Sequence, residues 1–202
     1  MSETTIRPAH AAPTPEVPAA TSVPTGRLGI WWFLASEVVI FGGLITTYVL
    51  FRIRHPEWGA IAAHTITPAG AINTFVLLTS SLTMVLAHAA AERGDFRLAA
   101  RHMLATVAMG GVFMGIKAFE YGHEIGEGFT PVAGLFWSFY YAMTGLHALH
   151  VLGGMFAILA VRQSAARGFA LHRVEYVGIY WHFVDIVWIF LFPLLYLTSR
   201  EG

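Results

Sequence analysis

The sequence has no cysteine, and that absence excludes structural disulfides, thiolate-ligated copper, iron–sulfur clusters and covalently attached c-type haem from this chain. Histidine-ligated metal or haem stays open. Charge is scarce as well: Asp, Glu, Lys and Arg make up 12% of the 202 residues, and the 12 basic side chains balance the 12 acidic ones. Zero net charge gives no electrostatic basis for binding nucleic acid. Also missing are period-2 alternation, an internal repeat, and the paired Gly/Pro-broken helices of inverted-repeat transporters.

What fills the chain instead is apolar. Hydrophobic residues make up 56% of it and the mean hydropathy is +0.61, too apolar for a domain whose surface faces water. An integral membrane protein is expected. Five apolar stretches are each long enough to cross a hydrocarbon core of roughly 30 Å as a helix of about 20 residues. They run over Leu28–Phe51, Gly70–Ala91, Arg101–Tyr121, Ala133–Val161 and Val177–Leu197. Backbone in lipid must bond to itself, so these read as helices and the fold class as an all-α, five-helix transmembrane bundle over residues 28–202. Residues 1–27 hold five prolines and many small polar residues but no apolar signal-peptide core, and read as a disordered cytoplasmic tail.

Arginine sets the expected orientation, since cytoplasmic loops carry the excess of basic residues. Arg7, Arg27, Arg93, Arg97, Arg101, Arg162, Arg167 and Arg173 fall on one side, against Arg52, Arg54 and Arg200 on the other. The third loop adds only the acids Glu124 and Glu127. The N-terminus is therefore expected in the cytoplasm and the C-terminus outside.

The informative residues are the polar ones inside the spans. A carboxylate at the centre of a membrane helix costs about 2.5–3.5 kcal/mol on insertion scales, so Glu37 in "WWFLASEVVIFGG" needs an offsetting partner. At about 1.5 Å per residue it lies roughly 14 Å into its span, and Asp185 sits at a similar depth in the fifth. Two acids at one level call for a proton or for bonds to His, Ser, Tyr or Trp. His147 and His150 in "TGLHALH", and His182 and Asp185 in "YWHFVDIVW", are each three apart and so share a helix face. Two readings remain open for them: ligands to a haem or metal held between helices, with a carboxylate orienting one ring, or interhelical hydrogen bonds. Lys117 and Glu120 read as a local pair whose lysine snorkels to the interface. Gly42, Gly43, Gly110, Gly111, Gly115, Gly153 and Gly154 read as points of close helix approach.

In family order, "FLASEVVIFGG", "INTFVLLTSSLTM", "ERGDFR", "FEY", "FYYAMTGLHALHVLGG", "VRQ" and "EYVGIYWHFVDIVWIFLFPLLYL" resemble subunit III of the haem–copper respiratory oxidases, across all five spans. The likeness is to the short five-helix form, which lacks the first two helices of the seven-helix form and with them one wall of a phospholipid-holding cleft. The resemblance implies an accessory subunit of a proton-pumping terminal oxidase in a bacterial-type cell membrane. No catalytic residue, metal ligand or redox centre is expected in this chain; haem and copper would reside in partner subunits. Subunit I is the main contact implied, with subunit II and a small subunit closing the cleft as further partners, and structural phospholipid is held. The implied roles are support of proton uptake and protection of the active site during turnover.

Carried over by the resemblance, Glu37 is the family's carbodiimide-reactive acid. His147, His150, Glu175, His182 and Asp185 take its polar interior positions, and Arg162 takes a lipid head-group position. An interfacial arginine suits a phosphate on its own chemistry too. Glu92 and Asp95, in the basic loop, are candidates for a cytoplasmic proton antenna. Three alternatives stand beside this reading: a freestanding His-ligated membrane cytochrome or metalloprotein, a proton channel using Glu37 and Asp185, and subunit III of a quinol oxidase.

Overall fold

A computed structural model of the chain describes residues 25–165 and 171–197. Arg7, Arg167 and Arg200, counted above for orientation, and the tail up to residue 24 lie outside these. The elements are α1 (Thr25–Arg54), α2 (Trp58–Ala62), α3 (Thr67–Glu92), α4 (Phe96–Gly126), α5 (Leu135–Ala165) and α6 (Leu171–Phe192), which continues into a π-helical turn, Pro193–Leu197. Among the described residues no strand forms, and five helices, all but the short α2, are long and apolar enough to span a membrane. Below, the near side is the one holding the start of α1, and the far side is its opposite.

The helix ends are set by capping chemistry and not by where the apolar run stops. Gly94, at φ 78°, closes α3: its N–H meets the Ala91 carbonyl at 3.0 Å and the Asp95 N–H meets the Ala90 carbonyl at 3.0 Å. Gly128, at φ 92°, closes α4 in the same way through Ile125 and Glu124. Only glycine takes these left-handed positions without a Cβ penalty. Asp95 then caps α4 by accepting from the Leu98 N–H at 2.9 Å. For this reason α4 overruns its expected limits, Arg101–Tyr121, at both ends.

The four helices α3, α4, α5 and α6 close a ring, each packed on two others, with the α3–α4 contact the most extensive. Helix α1 leans on the outside of this ring against α6 and α5. Only 17% of its most apolar stretch is buried, against 44% for α6, so α1 is peripheral and α6 central. On α4, Ala99, Met103, Thr106, Gly110 and Phe113 face inward at helical spacing, and Lys117, Glu120 and Glu124 continue the same buried stripe.

Trp181 of α6 is the wedge that joins three helices. It is fully buried, and its Nε1–H donates to Ser80 Oγ of α3 at 3.0 Å. Its ring lies against Gly110 of α4 and Gly154 of α5, where a Cβ would come within 3.0 and 2.8 Å of ring atoms. Gly42, Gly43, Gly111 and Gly115, expected as close-approach points, have nothing within 4 Å of a Cβ built on them. A glycine in a helix marks close packing only when it faces a bulky neighbour, and hydropathy does not report facing.

Gly154→Ala is expected to destabilise the protein by about 1–3 kcal/mol, because the rigid indole cannot yield. Gly43→Ala should be neutral, or stabilising by up to about 1 kcal/mol from helix propensity. Thermal unfolding of both in one detergent compares them directly. Equal midpoints would remove the wedge.

Candidate functional site

Inside a bilayer a polar side chain finds no water, so its partners must come from the neighbouring helices. Glu37 of α1 is only 7% exposed, and its Oε2 lies 2.9 Å from His150 Nε2 of α5. His150 Nδ1 is 2.8 Å from the Leu146 carbonyl. A carbonyl only accepts, so Nδ1 carries a proton. One further proton then sits in the Glu37–His150 contact, either on the carboxyl facing a neutral ring or on the ring facing a carboxylate. Both forms are neutral overall, which removes the cost of a bare charge at Glu37. The edge of Phe41 against the His150 ring, with centroids 5.1 Å apart, and Tyr180 donating to the His150 carbonyl at 3.0 Å complete the clasp between α1, α5 and α6.

The remaining predicted residues do not converge on one centre. His182 Nδ1 pairs with Ser81 Oγ of α3 at 2.7 Å. His147 is fully buried beside the rings of Phe113 and Trp188, and neither of its nitrogens meets a partner. Asp185 is 3% exposed with no hydrogen-bond partner on either oxygen, and Ser81, which pairs with His182, lies nearby. Buried Asn73 of α3, which sequence reasoning missed, is likewise unpartnered. The three histidines thus serve three different surroundings, and among the described residues no group of three or more ligand-type side chains could hold a metal ion.

One position expected in the interior lies elsewhere, and Arg162 stands at the end of its span. Glu175, expected in the buried network, stands half exposed on the near side with its Oε1 4.0 Å from Arg27 Nη2. Arg162 donates its Nε–H to the Ala100 carbonyl at 3.1 Å and so ties the end of α5 to the start of α4. Glu92 is exposed, with His88 of the preceding turn 3.9 Å away, while Asp95 is the α4 cap. Outside the spans, Glu57 is held below the usual carboxylate range by its own backbone N–H and by the His55 ring 2.8 Å away.

Two residues were misplaced by reading charge as exposure. Lys117 pairs with Glu120 at 2.9 Å as expected, but it is 2% exposed and does not snorkel. Its ammonium also reaches the hydroxyls of Tyr140 at 3.1 Å and Tyr196 at 2.7 Å, within a cage of aromatic rings. Glu124, expected in a loop, is inside α4 and 1% exposed. The signal was present in the sequence: the spacing 113, 117, 120, 124 extends the apolar stripe of α4 without a break.

A family model described as "Cytochrome c oxidase subunit III" matches residues 16–200. The chain is 36% identical over 178 residues to "Cytochrome c oxidase subunit 3" of Thermostichus vulcanus, covering 86% of this chain and 87% of that protein. It is 34% identical to "Probable quinol oxidase subunit 3" of Staphylococcus haemolyticus (strain JCSC1435), covering 86% and 89%. With "Cytochrome c oxidase subunit 3" of Bacillus sp. (strain PS3) the identity is 34%, covering 87% and 86%.

The Glu37–His150 contact predicts a double-mutant cycle. Glu37→Leu and His150→Leu each strand a buried partner, and their coupling energy is expected to be about 1 kcal/mol, in the range measured for interhelical bonds in membranes. Glu37→Gln, whose amide still donates to Nε2, should unfold close to the wild-type midpoint. A coupling of zero would show that the two side chains do not share a bond.

Proposed function

The chain belongs to the cytochrome c oxidase subunit III family, and on that premise we propose that it is the non-catalytic membrane subunit of a proton-pumping haem–copper terminal oxidase, packed on the catalytic subunit I. The observation that carries this reading is the match from residue 16 to 200, which takes in all five spans. His150 paired with Glu37 and His182 paired with Ser81 accord with a bracing role for these side chains, and in this reading haem and copper reside in partner chains. Its work is to brace: it covers subunit I, holds phospholipid and sustains proton uptake. Peripheral α1, with a largely uncovered apolar surface, supports a further contact there with lipid or a small subunit.

The near side is the cytoplasm in this reading, because Arg27, Arg93, Arg97, Arg101, Arg162 and Arg173 gather there while Arg52 and Arg54 face the far side. Arg162 has donors besides Nε to offer a lipid phosphate at that interface. Quinol serves as the donor in the second reading. The relatives favour both, since those named for cytochrome c and for quinol oxidases are 36% and 34% identical.

Gentle purification through a tag on this chain is expected to bring down a large catalytic subunit together with haem absorbance, which is lost when the chain is stripped free. Haem retained by the isolated 22.1 kDa chain would overturn the assignment. Turnover of the same complex with reduced cytochrome c or with quinol identifies the donor. The double variant Glu92→Gln, Asp95→Asn keeps a competent helix cap, since Asn caps as well as Asp. It should slow steady-state oxygen consumption at alkaline pH, and an unchanged rate would remove the antenna role.

Orientation follows from cysteine labelling, which the cysteine-free sequence makes clean. In intact cells a membrane-impermeant maleimide should label Glu127→Cys and spare Glu92→Cys. The reverse pattern would invert the topology.

A further inference from the structure

The buried stripe of α4 ends in three ionisable groups, and two of them form a closed unit. Lys117 Nζ has three donors and three acceptors: Glu120 Oε2, the Tyr140 hydroxyl and the Tyr196 hydroxyl. Tyr140 in turn donates to Glu120 Oε1 at 3.0 Å. The carboxylate of Glu120 is thereby held on both oxygens, and the ammonium has no proton left to give. One cation balances one anion.

Glu124, one turn further along the same face, is outside this balance. It is 1% exposed and neither of its oxygens meets a donor. The groups that face it are Lys117 and Glu120 on its own helix and Tyr140 and Tyr141 on α5. Each is already spent: Lys117 as above, Tyr140 on Glu120, and Tyr141 on the Phe129 carbonyl at 2.8 Å. Tyr121, on the next face of α4, shares its hydroxyl with Thr144 at 2.6 Å. His123 and Glu127 lie 3.7 Å apart on the exposed side of the helix.

An ionised Glu124 would be a second buried negative charge with no donor, an arrangement that costs several kcal/mol. A proton resolves both faults at once. It cancels the charge, and it supplies an O–H where the Tyr141 oxygen, which only donates, retains acceptor capacity. We infer that Glu124 is a buried proton-binding site, a carboxylic acid in the far half of the bundle that exchanges its proton with water on the far side. The path out is short. Glu124 is two residues from the end of α4, about 3 Å of helix rise. Behind the Phe129 carbonyl that takes the Tyr141 hydroxyl, the Phe129 ring stacks on Trp137 at 4.7 Å, and both line a far-side cavity of about 540 Å³.

The test is infrared spectroscopy of the intact complex, wild type minus Glu124→Gln, in H2O and D2O. Glutamine copies the neutral acid in shape and donor capacity, so the variant should assemble with wild-type subunit content. The difference spectrum should show the loss of one carboxylic-acid C=O band, and that band should shift in D2O. Loss of a carboxylate band in its place would overturn the site, as would a variant that fails to assemble, because an isostere of the acid must be tolerated. An acid band unmoved by D2O would overturn the exchange.

Discussion

The absence of water within the spans governs every polar contact in this protein. A side chain that could turn to solvent in a soluble domain must here bond to another helix, bond to its own backbone, or remain unpaired. Glu37 and His150 take the first course, with one proton held between them. So do His182 with Ser81, Trp181 with Ser80, and Trp188 with Thr74. These bonds run between helices far apart in sequence, and they fix which helices are neighbours more tightly than apolar packing can, because lipid tails solvate leucine as well as protein does.

The arrangement explains why the bundle has a firm part and a loose part. The ring of α3, α4, α5 and α6 is closed by Trp181 and by the Lys117 cage, both fully internal. Helix α1 has one polar clasp at mid-depth, at Glu37, and one toward the far side, where Tyr48 donates to the Leu194 carbonyl at 3.1 Å. Phe41 packs inward between them, and most of the rest of the helix's apolar surface is uncovered. The bundle is thus a closed four-helix body with a lightly held fifth helix beside it.

Much of this was readable from the residues, and the failures have physical causes. The spans follow from hydropathy alone, and Glu37 stands out because its cost demands a partner. That the partner is His150, 113 positions away, is a matter of helix arrangement, which one chain read linearly does not disclose. The ends of α3 and α4 were readable in "ERGDF" and "GEGF", where glycine takes the left-handed position and Asp95 caps, but hydropathy overrode those cues. Lys117 and Glu124 were set at the surface because charge is ordinarily solvated, although their spacing continues the buried stripe. Glu175 went the other way: the family resemblance implied an interior position, but it stands half exposed with Arg27 4.0 Å away.

The π-helical turn at Pro193–Leu197 bears on how the protein is made. This widened turn delivers Leu194's carbonyl to Tyr48 of α1 and Tyr196's hydroxyl to Lys117 of α4. In synthesis order it is the end of the fifth span. The first helix to leave the ribosome therefore gains its Tyr48–Leu194 bond only when the last span is complete, and the buried ammonium of α4 lacks one of its three acceptors until then. These five residues thus join the first, fourth and last helices at one level of the bundle.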